Sequence, residues 1–291
     1  MDTILDFSKK IDLPNYAFET VPLAETIREN YAEEYRKIYD DYLNKDLIKE
    51  LSDKLNSDFK MVQLAVTLLK GIDMYETYKK RGISDEIYYS CMREISICSK
   101  HAYKNGGGIG VGDPEWLNGF FTFRLTHICR LNFERATLSE DMAFTCDGIR
   151  YEAGTPAFKI HIPEDGPLDH DEVLRSYKMA YKFYGCTGRQ VFYCRSWVNY
   201  PGNYEYLPAS SNLRKFTDDF KILGRDEYNV KEKSGDLFRI YGRLKSYDLD
   251  KLPRDTGLRR KLADHLMING GIFGKGKGVF VHDGEKLYND R

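Results

Sequence analysis

No stretch of this 291-residue chain stays apolar for the roughly 20 residues that a membrane-spanning helix needs. The first residues, MDTILDFSKKIDLP, have neither a basic region nor an apolar core, so no signal peptide is expected. Neither sign of charge dominates. The 44 basic and 45 acidic residues give a formal net charge of −1, which offers no case for a nucleic-acid footprint. The six cysteines form no CxxC pair and no regular framework, and reduced thiols in a cytosolic protein are the simplest expectation. The six histidines are scattered. Only His161 and His170, with Asp169 and Asp171, form a local group, and the stretch DGPLDHDE that holds all but His161 lacks calcium-loop spacing and reads as acids capping a helix. The expectation is therefore a cytoplasmic protein without a metal, nucleic-acid or membrane partner. The oligomeric state stays open.

Two nucleotide signatures are also missing. NGGGIGVGD (Asn105–Asp113) is followed by no Lys-Ser or Lys-Thr, so it is not a Walker A loop. It follows a helix rather than a strand, which removes the dinucleotide context and favours an interdomain turn. A second glycine run, NGGIFGKGKGVF, reads as a helix stop and a hairpin approach, although Lys275 and Lys277 could meet an anion.

The chain does contain 22 tyrosines, several on charged helical stretches where a half-buried ring keeps its hydroxyl in water. Up to about residue 110 the period is helical. Ile27, Tyr31, Tyr35, Ile38 and Tyr42 mark one amphipathic face, a short helix fits 45–55, and a third fits 59–81. A fourth begins behind Ser84 as N-cap and stops at glycines. After 110 the period changes. EWLNGFFTFRLTHICR suits a short helix, RLNFERATL a strand, MAFTCDGIRYEAG a hairpin on Asp147-Gly148, and PAFKIHIP another strand. DHDEVLRSYKMAYKFYG is an amphipathic helix. There follow a strand RQVFYCRSWV, a helix SSNLRKFTDDFKIL, a strand DLFRIYGRL, a helix TGLRRKLADHLMING and a strand KGVFVHDG. The expectation is an α+β chain: a helical domain over 1–110, then a mixed β-sheet flanked by helices over 111–291.

Candidate chemistry falls in the second part. His161 ends a strand on the face opposite Ile160 and Ile162, a suitable place for an acid or base and equally for a solvated strand end. Glu134 alternates onto the polar face of RLNFERATL. It serves as a general base if partly buried, or pairs with Arg130 or Arg135 on the surface. In VFYCRSWVNYP, Phe192, Cys194 and Ser196 share one face, and Tyr193, Arg195 and Trp197 the other. Ser196 lacks the glycines of a nucleophile elbow, and Cys194 has no base at recognisable spacing, so composition reads both as core.

WLNGFFTFRLTHICRLNFE, KIHIPEDGPLD, VFYCRSWVNYP, EYLPASSNLRKF, LPRDTGLRRKLADHLMINGG and GKGVF together resemble a bacterial family of GNAT-like acyltransferase-domain proteins. Its members join a helical acyltransferase-type N-terminal domain to a GNAT-like C-terminal domain, and the blocks cover most of 116–281. The resemblance implies transfer of an acyl group from an acyl-CoA-type donor to an amine, by direct attack on the thioester. It also implies a splayed central strand pair that admits the donor. Glu134 and His161 would then be the candidate bases, and Tyr204 and Tyr206 the acids. Cys194, Ser196, Trp197, Ser211 and Asn212 would line the cleft. The stretch matching the pyrophosphate loop, HIPEDGPLDHDEV, departs from the superfamily's Q/R-x-x-G-x-G/A. It has one glycine, two prolines and five acids: Glu164, Asp165, Asp169, Asp171 and Glu172. The other reading is a catalytically silent GNAT-like fold that binds a small molecule or a protein partner in the same cleft.

Overall fold

A computed structural model describes residues 2–233, 235–242, 244 and 246–290. They form two compact units, divided between His127 and Ile128.

The first unit is helical: α1 (Ile4–Lys10), α2 (Thr20–Asn30), α3 (Ala32–Asp40), α4 (Lys45–Leu55), α5 (Phe59–Asp73), α6 (Tyr75–Lys80), α7 (Asp85–Lys104) and α8 (Pro114–Phe121). Its axis is α5, buried on all sides from Val62 to Ile72 and capped by Asp58, whose carboxylate accepts from the N–H groups of Lys60 and Met61. A Cβ on Gly71 would come within 2.9 Å of the Phe7 ring, so glycine there lets α1 close on α5. Ser84 caps α7 as expected, accepting from Ile87 N–H. The long face read across 27–42 is broken at Tyr31, and the helix read over 59–81 is broken at Met74.

The boundary falls later than residue 110 because α8 packs into the helical core through Leu117, Phe120 and Phe121. The glycines of 105–113 accordingly make a turn inside the first unit, with Gly106 and Gly108 at φ 74° and 76°. Lys60 Nζ donates to the Gly107 carbonyl at 2.6 Å.

Strand β1 (Leu125–Ile128) spans the junction. The second unit then runs β2 (Leu131–Thr137), β3 (Phe144–Cys146), β4 (Ile149–Tyr151), β5 (Pro156–His161), α9 (His170–Phe183), β6 (Gln190–Ser196), α10 (Asn203–Tyr206), α11 (Asn212–Asp218), β7 (Lys221–Asn229), α12 (Leu237–Tyr241), α13 (Gly257–Ile268), β8 (Ile272–His282) and β9 (Leu287–Tyr288). Its strands are ordered β2-β5-β6-β8-β7, with β9 on β8, and the β5–β6 pair is parallel. The chain is α+β, as expected.

One sheet face buries Phe133, Phe158, Phe192 and Phe280 against Val173, Tyr177 and Ala180 of α9 and Phe216 of α11. The Phe192 and Phe280 rings stack 5° from parallel, with centroids 5.2 Å apart. On the other face, Val191, Val279 and Val281 meet the β3–β4 hairpin. That hairpin turns at Asp147 (φ 50°) and Gly148 (φ 75°), the left-handed pair that a two-residue turn needs.

Several stretches differ from expectation. In EWLNGFFTFRLTHICR the helix α8 stops at Phe121 and Leu125–Ile128 form strand β1. Within DLFRIYGRL, Leu237–Tyr241 form the helix α12, because Leu237, Ile240 and Tyr241 stand at helical spacing and all enter one core, while Arg243 lies outside the described residues. The tail of SSNLRKFTDDFKIL becomes the edge strand β7 once α11 stops at Asp218. The second glycine run divides: Asn269, Gly270 and Gly271 stop α13 as expected, and Gly274, Gly276 and Gly278 lie within β8. A Cβ at Gly276 would sit 1.8 Å from the Asn199 carbonyl, so the turn after β6 lies flat on that strand. Among the described residues, no helix is long and apolar enough to cross a membrane, and no group of three His, Cys, Asp or Glu is placed to hold a metal ion.

Candidate acyl-transfer site

The antiparallel β2–β5 register sets Glu134 opposite Lys159 and Asn132 opposite His161. Glu134 and His161 are thus diagonal neighbours on one face, within reach of each other's side chains. Glu134 Oε2 lies 2.8 Å from His161 Nε2 and 3.8 Å from Lys159 Nζ. Both partners are mostly buried, with side chains 16% and 22% exposed. Two residues read separately in the sequence therefore form one carboxylate–imidazole pair. With Nε2 donating to the carboxylate, Nδ1 is the ring's basic nitrogen.

The pair lies where the sheet opens. β5 and β6 are laddered at Ala157–Val191, Phe158–Phe192 and Lys159–Tyr193, and the parallel register ends there. Beyond it β5 stays on β2 through Ile160 and His161, while β6 stays on β8 through Cys194, Arg195 and Ser196. Tyr193 stands on the polar face beside this divergence. Burial raises its phenol pKa, and the Glu134 charge adds to the effect. It stays neutral and able to donate. Alternation along VFYCRSWV places Tyr193 opposite Cys194, and that is the signal in the sequence that marks it.

The other candidates have structural partners. Cys194 is 1% exposed in the core beneath α9, where burial pushes its thiol up to about 12. It is neither a displayed nucleophile nor cleft lining. Ser196 accepts from Val198 N–H and starts the turn at Trp197, whose ring packs at the edge of two cores. Tyr204 donates to Asp218 Oδ1 at 2.7 Å, and Tyr206 to Asn203 Oδ1 at 2.7 Å with its ring stacked on His265. These hydroxyls belong to the packing of α10, not to the Glu134–His161 pair. Ser211 and Asn212 open α11, half-buried, and Ser211 makes no side-chain cap.

The loop before α9 is built around Arg130. Its Nε donates to the Pro167 carbonyl, its Nη2 to those of Pro163 and Gly166, and Nη1 stands 3.5 Å from Asp165. The loop thus turns carbonyls inward. The N–H groups of Asp171 and Glu172 are taken by the Asp169 carboxylate, the capping role expected for these acids. Lys275 and Lys277 likewise meet carboxylates of the chain: Asp236 at 3.2 Å for the first, and Asp141 at 2.7 Å and Asp226 at 3.4 Å for the second.

Residues 2–123 match the N-acyltransferase N-terminal domain model, and residues 125–280 match the GNAT-like C-terminal domain model. The chain belongs to this GNAT-like acyltransferase family. No curated protein sequence matches it. Among solved structures, it resembles an acyltransferase in complex with decanoyl-CoA and teicoplanin, at 19% identity and a TM-score of 0.69 over 95% of this chain and 86% of that one. An acyltransferase with CoA and 10C-teicoplanin matches at 18% and 0.69, over 96% and 87%. One with decanoyl-CoA alone matches at 17% and 0.65, over 95% and 86%. At these identities the likeness is one of fold.

Proposed function

We propose that this family member transfers an acyl group from an acyl-CoA-type thioester to an amine. The observation that carries the reading is the Glu134–His161 pair beside the divergence of β5 and β6. The binding of CoA and decanoyl-CoA by proteins of the same fold supports the choice of donor.

The chemistry needs one proton acceptor and one donor. The amine nitrogen attacks the thioester carbonyl, forming the C–N bond. His161 Nδ1 takes the proton the nitrogen sheds, and Glu134 stabilises the resulting imidazolium. Collapse of the tetrahedral intermediate breaks the C–S bond, and Tyr193 gives the departing thiolate its proton. Tyr193 takes this role in place of Tyr204 and Tyr206, whose hydroxyls hold α10. Calorimetric titration with decanoyl-CoA tests the donor: saturable binding is expected, and no heat at millimolar ligand would refute it.

A second reading, a catalytically silent fold that binds a small molecule, draws on one observation. The start of α9 is filled by Asp169 and bordered by Glu164, Asp165, Asp171 and Glu172, which repel a pyrophosphate there. Binding of CoA without thiol release in the presence of amines would favour it.

A further inference from the structure

Arg214, on α11, is held in place at one end only. Its Nη1 donates to the carbonyls of Tyr204 at 3.3 Å and Leu207 at 3.1 Å. The guanidinium lies 3.9 Å from the centre of the Tyr204 ring, and Tyr204 is itself anchored through its hydroxyl to Asp218. These contacts fix the plane of the cation and leave the Nε–Nη2 edge. Nε is buried with no hydrogen-bond partner. Among the described residues, no acceptor meets Nη2 and no carboxylate pairs with Arg214. Arg195, Arg239 and Arg259 of this unit meet the carboxylates of Asp226, Glu164 and Asp255, whereas Arg135 and Arg260, like Arg214, meet none among the described residues.

The unpaired edge is the two-pronged one that docks oxyanions side-on. A buried N–H without an acceptor is costly, so its persistence calls for a partner that arrives from outside the chain. Lys215 follows, exposed and without an ion pair among the described residues. Ser211 stands three residues before Arg214 on the same helical face. Two adjacent cations without counter-ions suit a phosphate better than a single carboxylate. The acids around α9 exclude the alternative place for such a group.

We propose that Arg214, assisted by Lys215, binds a phosphate of the acyl donor through its Nε–Nη2 edge. This deepens the acyl-CoA reading and rests on it. The site moves the recognition of the donor's phosphates from the start of α9 to the face of α11.

The test titrates CoA, 3′-dephospho-CoA, pantetheine and inorganic pyrophosphate against the wild type, Arg214→Lys and Arg214→Gln. Arg214→Lys keeps the charge and loses the fork, and is expected to weaken CoA by about tenfold or more while leaving pantetheine unchanged. Lys215→Gln is expected to cause a smaller loss and a shallower salt dependence. Unchanged CoA affinity in both Arg214 variants would overturn the proposal and leave the donor reading intact. If the wild type binds no CoA, the donor reading fails, and pyrophosphate decides the site: binding that depends on Arg214 keeps it, and none overturns it. Should Arg214→Gln lose its circular dichroism spectrum, competition on the wild type decides. Pyrophosphate that does not displace CoA would refute the shared site.

Discussion

Glu134 Oε2 and His161 Nε2 stand 2.8 Å apart across the β2–β5 ladder, at the point where β5 and β6 part. A carboxylate that orients an imidazole and balances its charge makes the ring a better proton acceptor. His161→Ala is expected to lower the acyl-transfer rate by about 10²–10⁴-fold, the usual range for a general base. Glu134→Gln, which keeps the shape, is expected to act on kcat more than on KM and to move the acidic limb of the pH profile to lower pH, because the imidazolium loses its balancing charge. Steady-state kinetics across pH reads both, and an unshifted profile in Glu134→Gln would assign Glu134 to structure alone.

The cap of α9 gives a stability prediction. Asp169→Ala removes the acceptor for two N–H groups and is expected to cost about 1 kcal/mol in urea unfolding. Glu172→Gln keeps the backbone N–H that Asp169 caps and removes only a first-turn charge paired with Arg175, and is expected to cost less. Equal effects of the two substitutions would count against the cap.

His170 is expected to make stability depend on pH. Its Nε2 lies 3.0 Å from Asp219 Oδ1, and Tyr177 donates to the same carboxylate. The bond to Asp219 raises the imidazole above its ordinary value of 6.5, against opposing effects of burial and Lys215. A raised folded value means that the native state holds the proton more tightly. The contribution is fully present below pH about 6.5 and is lost as pH rises through the folded value. The stability difference between wild type and His170→Asn is expected to shrink from pH 6 to pH 8 in urea titrations. A difference that is constant across that window would remove His170 as the cause.

Thiol reactivity follows burial. Cys91 and Cys194 are buried, and their thiols are pushed up to about 12. Iodoacetamide is expected to modify the partly exposed Cys129 and Cys186 first and to reach Cys194 only on unfolding. Rapid modification of Cys194 in the native protein, read by peptide mass spectrometry, would contradict its place in the core.

Much of the fold is legible in the sequence because local chemistry dictates it. Ser84 caps α7, Asp147-Gly148 turns the β3–β4 hairpin, and apolar spacing delimits α4. The misreadings arise where two periods compete. LFRIY suits a strand by composition, yet its apolar residues meet one core only as a helix. KILGRDEYN has no alternation strong enough to separate it from the preceding helix, and it becomes a strand by pairing with β8. The candidate site was half legible. Position marked Glu134 and His161 individually, but their pairing depends on the β2–β5 register, a long-range property. Tyr204 and Tyr206 lie near a strand end in the sequence, which marks position and not a free hydroxyl. The hydrogen bonds that occupy them come from Asp218 and Asn203, within the local packing of α10 and α11.

The most direct test of the account is thiol release from octanoyl-CoA in the presence of primary amines, followed by a thiol reagent for the wild type and His161→Ala. The account predicts amine-dependent release by the wild type and a loss of about 100-fold or more in the variant, with octanoyl-CoA binding retained. Equal release by both proteins, or none by a wild type that binds the donor, would contradict acyl transfer through this pair.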